Sequence, residues 1–268
     1  MVFPHLTNVT NVTTFTKQDP NAPAGFYPVE AAGLRWLGAA TQAGGTPVAD
    51  VLEVTTSSII LPRYPIVSPT PEAAREFGRR LALTHRAGAP HHGCAPPGVA
   101  DGFIATLPLP HLTEPPPHWG DFYARSRVEP FARAAQACGG LSGSGLNLVL
   151  NLCDRLREGD PALTGPETKP ARLHGDLWSG NVLWTPVGAV VIDPAAHGGH
   201  PETDLAMLAL FGLPHLESVL DGYQETAPLA DGWRDRRPLH QVHPLLVHAV
   251  LFGASYGEQA TRVARSYA

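Results

Sequence analysis

Residues 172–193, RLHGDLWSGNVLWTPVGAVVID, decide how the rest of the chain is read. Asp176 lies in a His-Gly-Asp loop, Asn181 follows five residues later, and Asp193 stands twelve residues beyond that, across a β-rich segment with a turn at Pro186-Val187-Gly188. Such a hairpin can fold the second aspartate back beside the first. Phosphoryl transfer requires a set of this kind. One carboxylate orients an attacking hydroxyl and accepts its proton, while an amide oxygen and a second carboxylate hold Mg2+, a hard cation that takes oxygen ligands. An aspartate with an ordinary pKa near ~3.9 is ionised at neutral pH and can serve in either place. His-Gly-Asp and Ile-Asp-Pro are plain turn sequences when met singly. Together, at this spacing, they point to chemistry.

Outward from that segment, the character of the chain changes near residue 66. Residues 9–17, VTNVTTFTK, are β-branched and alternating, as a strand should be. From Phe26 to Ala40 apolar residues recur at helical spacing, with Pro28 near the start, where a first-turn proline is tolerated. Strands are expected around 48–54 and 57–61, so residues 1–66 read as a small β-rich N-terminal lobe. The Pro-rich stretch LPRYPIVSPTP (61–71) leads into residues 67–268, a large and mostly helical lobe. Helices are predicted over 72–85, 119–138, 146–157 and 239–267. The fold class is α+β, in two lobes.

The 268 residues carry 19 basic and 24 acidic side chains, a formal charge of −5 with no basic stripe, which excludes nucleic acid as the main ligand. No run approaches the ~18 apolar residues of a membrane span, and the first residues lack a signal-peptide pattern, so a soluble cytoplasmic protein is expected. Cys94, Cys138 and Cys153 are too few and too irregular for a disulfide framework. His91-His92-x-Cys94 offers metal-binding residue types, but nothing nearby completes a ligand set and a polar loop is the simpler reading. Asn8 and Asn11 head glycosylation-type triplets that read more simply as part of the Thr-rich strand. Of the basic residues, only Lys17 and Lys169 are lysine. An ammonium and a guanidinium serve different chemistry, so each lysine asks for a reason.

LHGDLWSGNVLW, followed by IDPAAHGGHPETDLAMLALFG, resembles the signature of the fructosamine-kinase (ketosamine 3-kinase) family, whose fold is similar to the aminoglycoside phosphotransferases and, more distantly, the protein kinases. The likeness extends through FGRRLALTHRAG (77–88), DGFIATLPLP (101–110), WGDFYARSRVEPFARAA (119–135) and HPLLVHAVLFGASY (243–256). It implies a two-lobed protein-kinase-like fold, ATP and Mg2+ as cofactors, and a small-molecule ketosamine or glycated amine phosphorylated on a sugar hydroxyl in a deglycation-type repair. A monomer is expected, with neither nucleic acid nor membrane as partner. Residue by residue, the resemblance implies Asp176 as catalytic base and Asn181 and Asp193 as magnesium ligands. Lys17 becomes the strand lysine that contacts the nucleotide phosphates, and Glu30, on the following helix, its ion-pair partner. Asp204, in a second signature block with His200 and Glu202, reads as structural, bonding back to the catalytic loop. Trp119 reads either as a wall of the sugar site or as a core aromatic, and Lys169 as solvated.

The family pattern is broken in three places. Relatives place a glycine-bearing hairpin before the lysine strand, whereas the first glycine here is Gly25 and 16 residues precede Lys17. The N-terminal lobe is therefore expected to be truncated, its hairpin absent or reduced to something like residues 7–11. Pro62 stands where relatives usually carry an acidic residue in the adenine-contacting linker, and His111 where they often carry Asn, which leaves nucleotide preference and acceptor pocket open. An aminoglycoside or amino-alcohol phosphotransferase and a truncated, non-catalytic kinase-like protein are the competing readings.

Overall fold

The structure, a computed structural model, describes residues 13–267. The suggested hairpin remnant at 7–11, Asn8 and Asn11 of the two triplets and the first part of the predicted strand lie outside these residues.

Strands β1 (Thr14–Gln18), β2 (Glu53–Val54) and β3 (Ser58–Pro62) form an antiparallel sheet with β3 in the middle, and helix α1 (Phe26–Gly38) packs on it. Lys17 pairs in register with Ile59. Directly opposed residues share a face, so Lys17 points to the side where Ile59 is buried. That side meets α1, whose Tyr27, Ala31 and Leu34 recur at helical spacing and cluster with Ile59 and Leu61. Glu30 belongs to the same stripe, and for this reason a helix carboxylate is left only 7% exposed. The strand expected over 48–54 shrinks to two residues because its first part pairs elsewhere. Ala49 N donates to Val191 O at 3.1 Å and Val191 N to Pro47 O at 3.0 Å, which fastens the small lobe to the large one.

The large lobe begins with α2 (Pro71–Arg86), started by Thr70, whose hydroxyl accepts from Ala73 N at 3.2 Å. A hairpin of β4 (Gly102–Ile104) and β5 (Leu107–Leu109) follows. The rod predicted over 119–138 forms as α3 (Trp119–Tyr123), a π-helical turn at 124–128, and α4 (Glu129–Ala137). After α5 (Gly143–Arg157) and the short α6 (Pro161–Thr164) come β6 (Ala171–Leu173) and the hairpin β7 (Val182–Thr185) and β8 (Gly188–Val191). Strand β9 (His197–Gly199) runs antiparallel to β6. Helices α7 (Pro201–Leu210), α8 (Leu216–Thr226), α9 (Trp233–Phe252) and α10 (Ala254–Ser266) complete the lobe.

The predicted C-terminal helix is two helices, because Gly253 adopts φ 96°, a conformation that suits glycine and ends α9. Pro244 inside α9 cannot donate to the His240 carbonyl, and the Tyr123 hydroxyl takes that acceptor at 3.1 Å instead. The largest core gathers α3, α4, α5, α9 and α10 around Tyr123, Leu152, Leu156 and Leu246. A second core holds α2, α7 and α8 against the β7–β8 hairpin, with Phe77 edge-on to Trp184 at 5.8 Å. Among the described residues no helix is long and apolar enough to cross a membrane.

Candidate active site

The two lobes meet at a cleft of about 330 Å3 whose lining includes Lys17, Glu30, Asp176, Asn181 and Asp193. All five residues singled out from the sequence are therefore brought together. Lys17 Nζ donates to Glu30 Oε1 at 2.7 Å and also to Asp193 Oδ1. The ammonium thus ties the small-lobe helix to the aspartate that follows β8. Burial works against its charge, but Asp193 and Glu30 outweigh that and hold the Lys17 pKa above the ordinary lysine value. Burial also pushes the Glu30 carboxyl upward, against the pull of Lys17.

Asp176 and Asn181 are set by a compact loop. Gly175 adopts φ 82°, and a Cβ there would lie 2.1 Å from the Ala195 carbonyl, so glycine alone lets the two segments pass this closely. Asn181 Nδ2 donates to Asp176 O at 2.8 Å, to Asp176 Oδ2 at 3.2 Å and to Asp193 O at 3.4 Å. One amide therefore fixes both aspartates. Its nitrogen is spent on them, which leaves Oδ1 as the end available to a ligand. Burial raises Asp176 to about 7, with Asn181 opposing and the charges of Asp193 and Asp204 adding to the rise. Two carboxylates and an amide oxygen on one wall, facing one ammonium, form a donor set for a hard divalent cation.

Asp204 supports the loop from behind, as read from the sequence. Its Oδ2 accepts from His174 N at 2.8 Å and its Oδ1 from Gly175 N at 3.0 Å. His85 Nε2 donates to Oδ2 at 3.1 Å, and the far nitrogen of that ring meets the Tyr223 hydroxyl at 2.9 Å. Burial raises the Asp204 pKa, but the bond and charge of His85 prevail and hold it below the ordinary range. His174, directly before the loop, donates from Nε2 to Ile192 O at 2.8 Å and accepts from Asp176 N at 3.3 Å. His85 and His174 were not singled out by sequence reasoning. Their clue was position only, one at a helix end and one adjoining Gly-Asp.

The cleft continues past Asp176 along an apolar wall from the β4–β5 hairpin and the end of α9, including Phe103, Val247, His248 and Phe252. Trp178 is 40% exposed and stands edge-on to Phe211 at 6.4 Å. Trp119 does not line this cleft; it is a core aromatic, stacked on Tyr123 at 4.7 Å and on His240 at 4.6 Å. His111 is likewise absent from the lining, its ring lying under Gly102. Lys169 is exposed and away from the cleft.

Among the described residues one group has the composition and spacing of a metal site, His200, Glu202 and His240. Its hydrogen bonds argue otherwise. His200 Nδ1 accepts from Glu202 N at 3.2 Å as the cap of α7, so the neutral ring carries its proton on Nε2 and has no lone pair to offer there. Glu202 is held side-on by Arg236 at 2.6 and 3.1 Å. The group is a buried ion-pair network that fixes α7 to α9.

The fructosamine kinase family model matches residues 5–267. An Enterococcus faecium protein assigned as a ketoamine kinase is 32% identical over 254 residues, covering 94% of this chain and 87% of that protein. A Thermobifida fusca crystal structure assigned as a fructosamine-3-kinase superposes with a TM-score of 0.86 at 47% identity, covering 95% of this chain and 85% of the other. The fold alone is shared with the choline kinase LicA of Streptococcus pneumoniae in its complex with AMP, with a TM-score of 0.56 at 13% identity over 97% of this chain and 86% of the other.

Proposed function

This chain belongs to the fructosamine kinase family, and we propose that it transfers the γ-phosphoryl group of ATP to a sugar hydroxyl of a small ketosamine in a deglycation-type repair. The observation that carries the reading is the single Lys17 ammonium bonded to both Glu30 and Asp193, in a cleft where Asn181 fixes Asp193 beside Asp176. Residues 1–66 would serve as the nucleotide lobe and residues 67–268 as the catalytic and acceptor lobe. Lys17 would contact the nucleotide phosphates, with Glu30 holding it in place. The free oxygen of Asn181 and the carboxylate of Asp193 would hold Mg2+, which when bound neutralises charge on the phosphates. Asp176 would accept the acceptor's hydroxyl proton as the new O–P bond forms and the bond to ADP breaks. Its raised pKa suits a base working near neutrality. The protein would act as a cytoplasmic monomer.

An aminoglycoside acceptor, with several ammonium groups, calls for a strongly acidic pocket. The acceptor end of this cleft is walled instead by Phe103, Val247, His248 and Phe252, which favours a sugar on an uncharged or singly charged amine.

The test is ADP release from ATP, Mg2+ and a fructosyl-amine, run beside Asp176→Asn. Turnover of about 1–100 per second is expected for an intact site. ADP no higher than in the Asp176→Asn control, together with no measurable ATP binding, would refute the reading.

A further inference from the structure

A buried arginine of the large lobe has no counter-ion among the described residues. Arg127 is 1% exposed and lies in the π-helical turn at 124–128. Pro130 has no N–H for the Ser126 carbonyl one helical turn back, and Arg127 Nη1 curls onto that carbonyl at 2.9 Å and onto Pro110 O at 2.7 Å. The opposite edge of the guanidinium, Nε and Nη2, is shielded from solvent and has no hydrogen-bond partner. This is the edge that grips oxyanions and carboxylates with two parallel bonds.

Among the described residues no carboxylate pairs with the guanidinium; Asp101, the acid of this neighbourhood, is engaged by the loop backbone, accepting from His111 N at 3.2 Å and opposing the fall in the His111 pKa. The Phe122 ring lies 4.8 Å from the guanidinium and supplies a partial, cation–π compensation. Three histidines stand in the same electrostatic neighbourhood: His111 after β5, His197 on β9 and His243 on α9. Burial, and after it the charge of Arg127, holds all three well below their ordinary pKa, so they are neutral. His111 Nδ1 and His243 Nε2 also lack partners. Burial lowers Arg127 only to about 9, so the guanidinium remains charged at neutral pH. A buried water would satisfy these nitrogens but leave the charge uncompensated. An anion does both.

We propose that Arg127, with His111 and His243, forms a buried site for a small monovalent anion such as chloride. The ion would tie the loop at 110–111 to the π-helical turn, and so steady the β4–β5 hairpin whose Phe103 and Ile104 line the cleft. The site does not depend on which acceptor the cleft takes.

The test is thermal unfolding in gluconate and in bromide at equal ionic strength, for the natural chain and Arg127→Gln, beside anomalous diffraction from bromide-soaked crystals. A saturable rise in Tm is expected, about 3–6 °C at ten times Kd for a chain of this size, absent in Arg127→Gln, with a bromine peak beside Nε and Nη2. Equal Tm in the two salts and no peak there would leave a water as occupant and overturn the proposal. So would a halide effect that survives in Arg127→Gln. Should that variant not fold, or should the natural chain show a Tm effect without a peak or a peak without a Tm effect, the bromine peak on the natural chain decides.

Discussion

Asp204→Asn isolates the support behind the proposed catalytic loop, because it changes charge and hydrogen-bonding capacity while leaving size nearly constant. Asp204 is 1% exposed and accepts from His174 N, Gly175 N and His85 Nε2. An amide has one acceptor oxygen where the carboxylate has two. If that oxygen stays on His174 N and His85, the new Nδ2 confronts Gly175 N, donor against donor. An orphaned buried N–H costs about 1–3 kcal/mol, and turning charge-assisted bonds into neutral ones costs about 1 kcal/mol more. The sum, about 2–4 kcal/mol, corresponds to a fall in Tm of roughly 5–15 °C for a chain of this length.

The sign of the pH dependence follows from the depressed Asp204 pKa. A carboxyl held below its unfolded value of ~3.9 contributes stability that is present above that value and is lost as pH falls through the folded pKa. The Tm gap between the natural chain and Asp204→Asn should therefore be full at pH 7 and close below about pH 4. Calorimetry from pH 7 to 3 measures both. The loop that moves carries Asp176 and not Lys17, so kcat should fall with the KM for ATP little changed. A gap under about 2 °C at pH 7, or one that stays constant down to pH 3, would refute this account of Asp204.

Lys17→Arg should lower kcat/KM for ATP by about 10- to 150-fold, the loss of a charged hydrogen bond of about 1.5–3 kcal/mol, whereas Lys169→Arg, at an exposed site outside the cleft, should leave steady-state kinetics unchanged. Arg236→Met should cost about 3–5 kcal/mol because it strands the buried Glu202 carboxylate, and adding Glu202→Met should recover most of that loss in urea unfolding. Gly222→Ala should destabilise by more than about 2 kcal/mol or prevent folding, since its Cβ would lie 1.9 Å from the Arg75 carbonyl where α2 crosses α8; soluble yield and Tm report it.

The site was legible in the sequence where its residues lie close together or on strongly patterned elements. Asp176, Asn181 and Asp193 span one hairpin, so their spacing carries most of their geometry, whereas Lys17 and Glu30, on a strand and the helix after it, are brought to the site by the family resemblance. What stayed hidden has physical reasons. In α7, Asp204, Leu205, Ala206, Met207 and Leu208 are buried in succession, so the helix has no polar face and no period to read. Strand β9 is His-Gly-Gly, which reads as a turn, yet a Cβ on Gly198 would lie 2.2 Å from the His91 carbonyl. Its glycine is there for close approach. The apolar wall joins a hairpin near residue 103 to the end of α9 near residue 250, a meeting that no local pattern announces.

The scarcity of lysine gains a structural sense when the partners of each cation are compared. Three arginines join helices: Arg75 and Arg79 share Glu225 across α2 and α8, and Arg236 grips Glu202 in the core with two nitrogens of its planar fork. Each is a fixed joint between helices. Lys17 does something a fork does less well, since its one nitrogen touches two carboxylates contributed by different lobes. A compact ammonium can release Asp193 to another cation and turn its third proton toward a phosphate without giving up Glu30, because its donors rotate about a single atom. A guanidinium at the same place would have to swing a rigid plane to do so. The chain uses arginine at these joints between helices, and of its two lysines places Lys17 where one ammonium faces both lobes of the cleft, while Lys169 is exposed outside it.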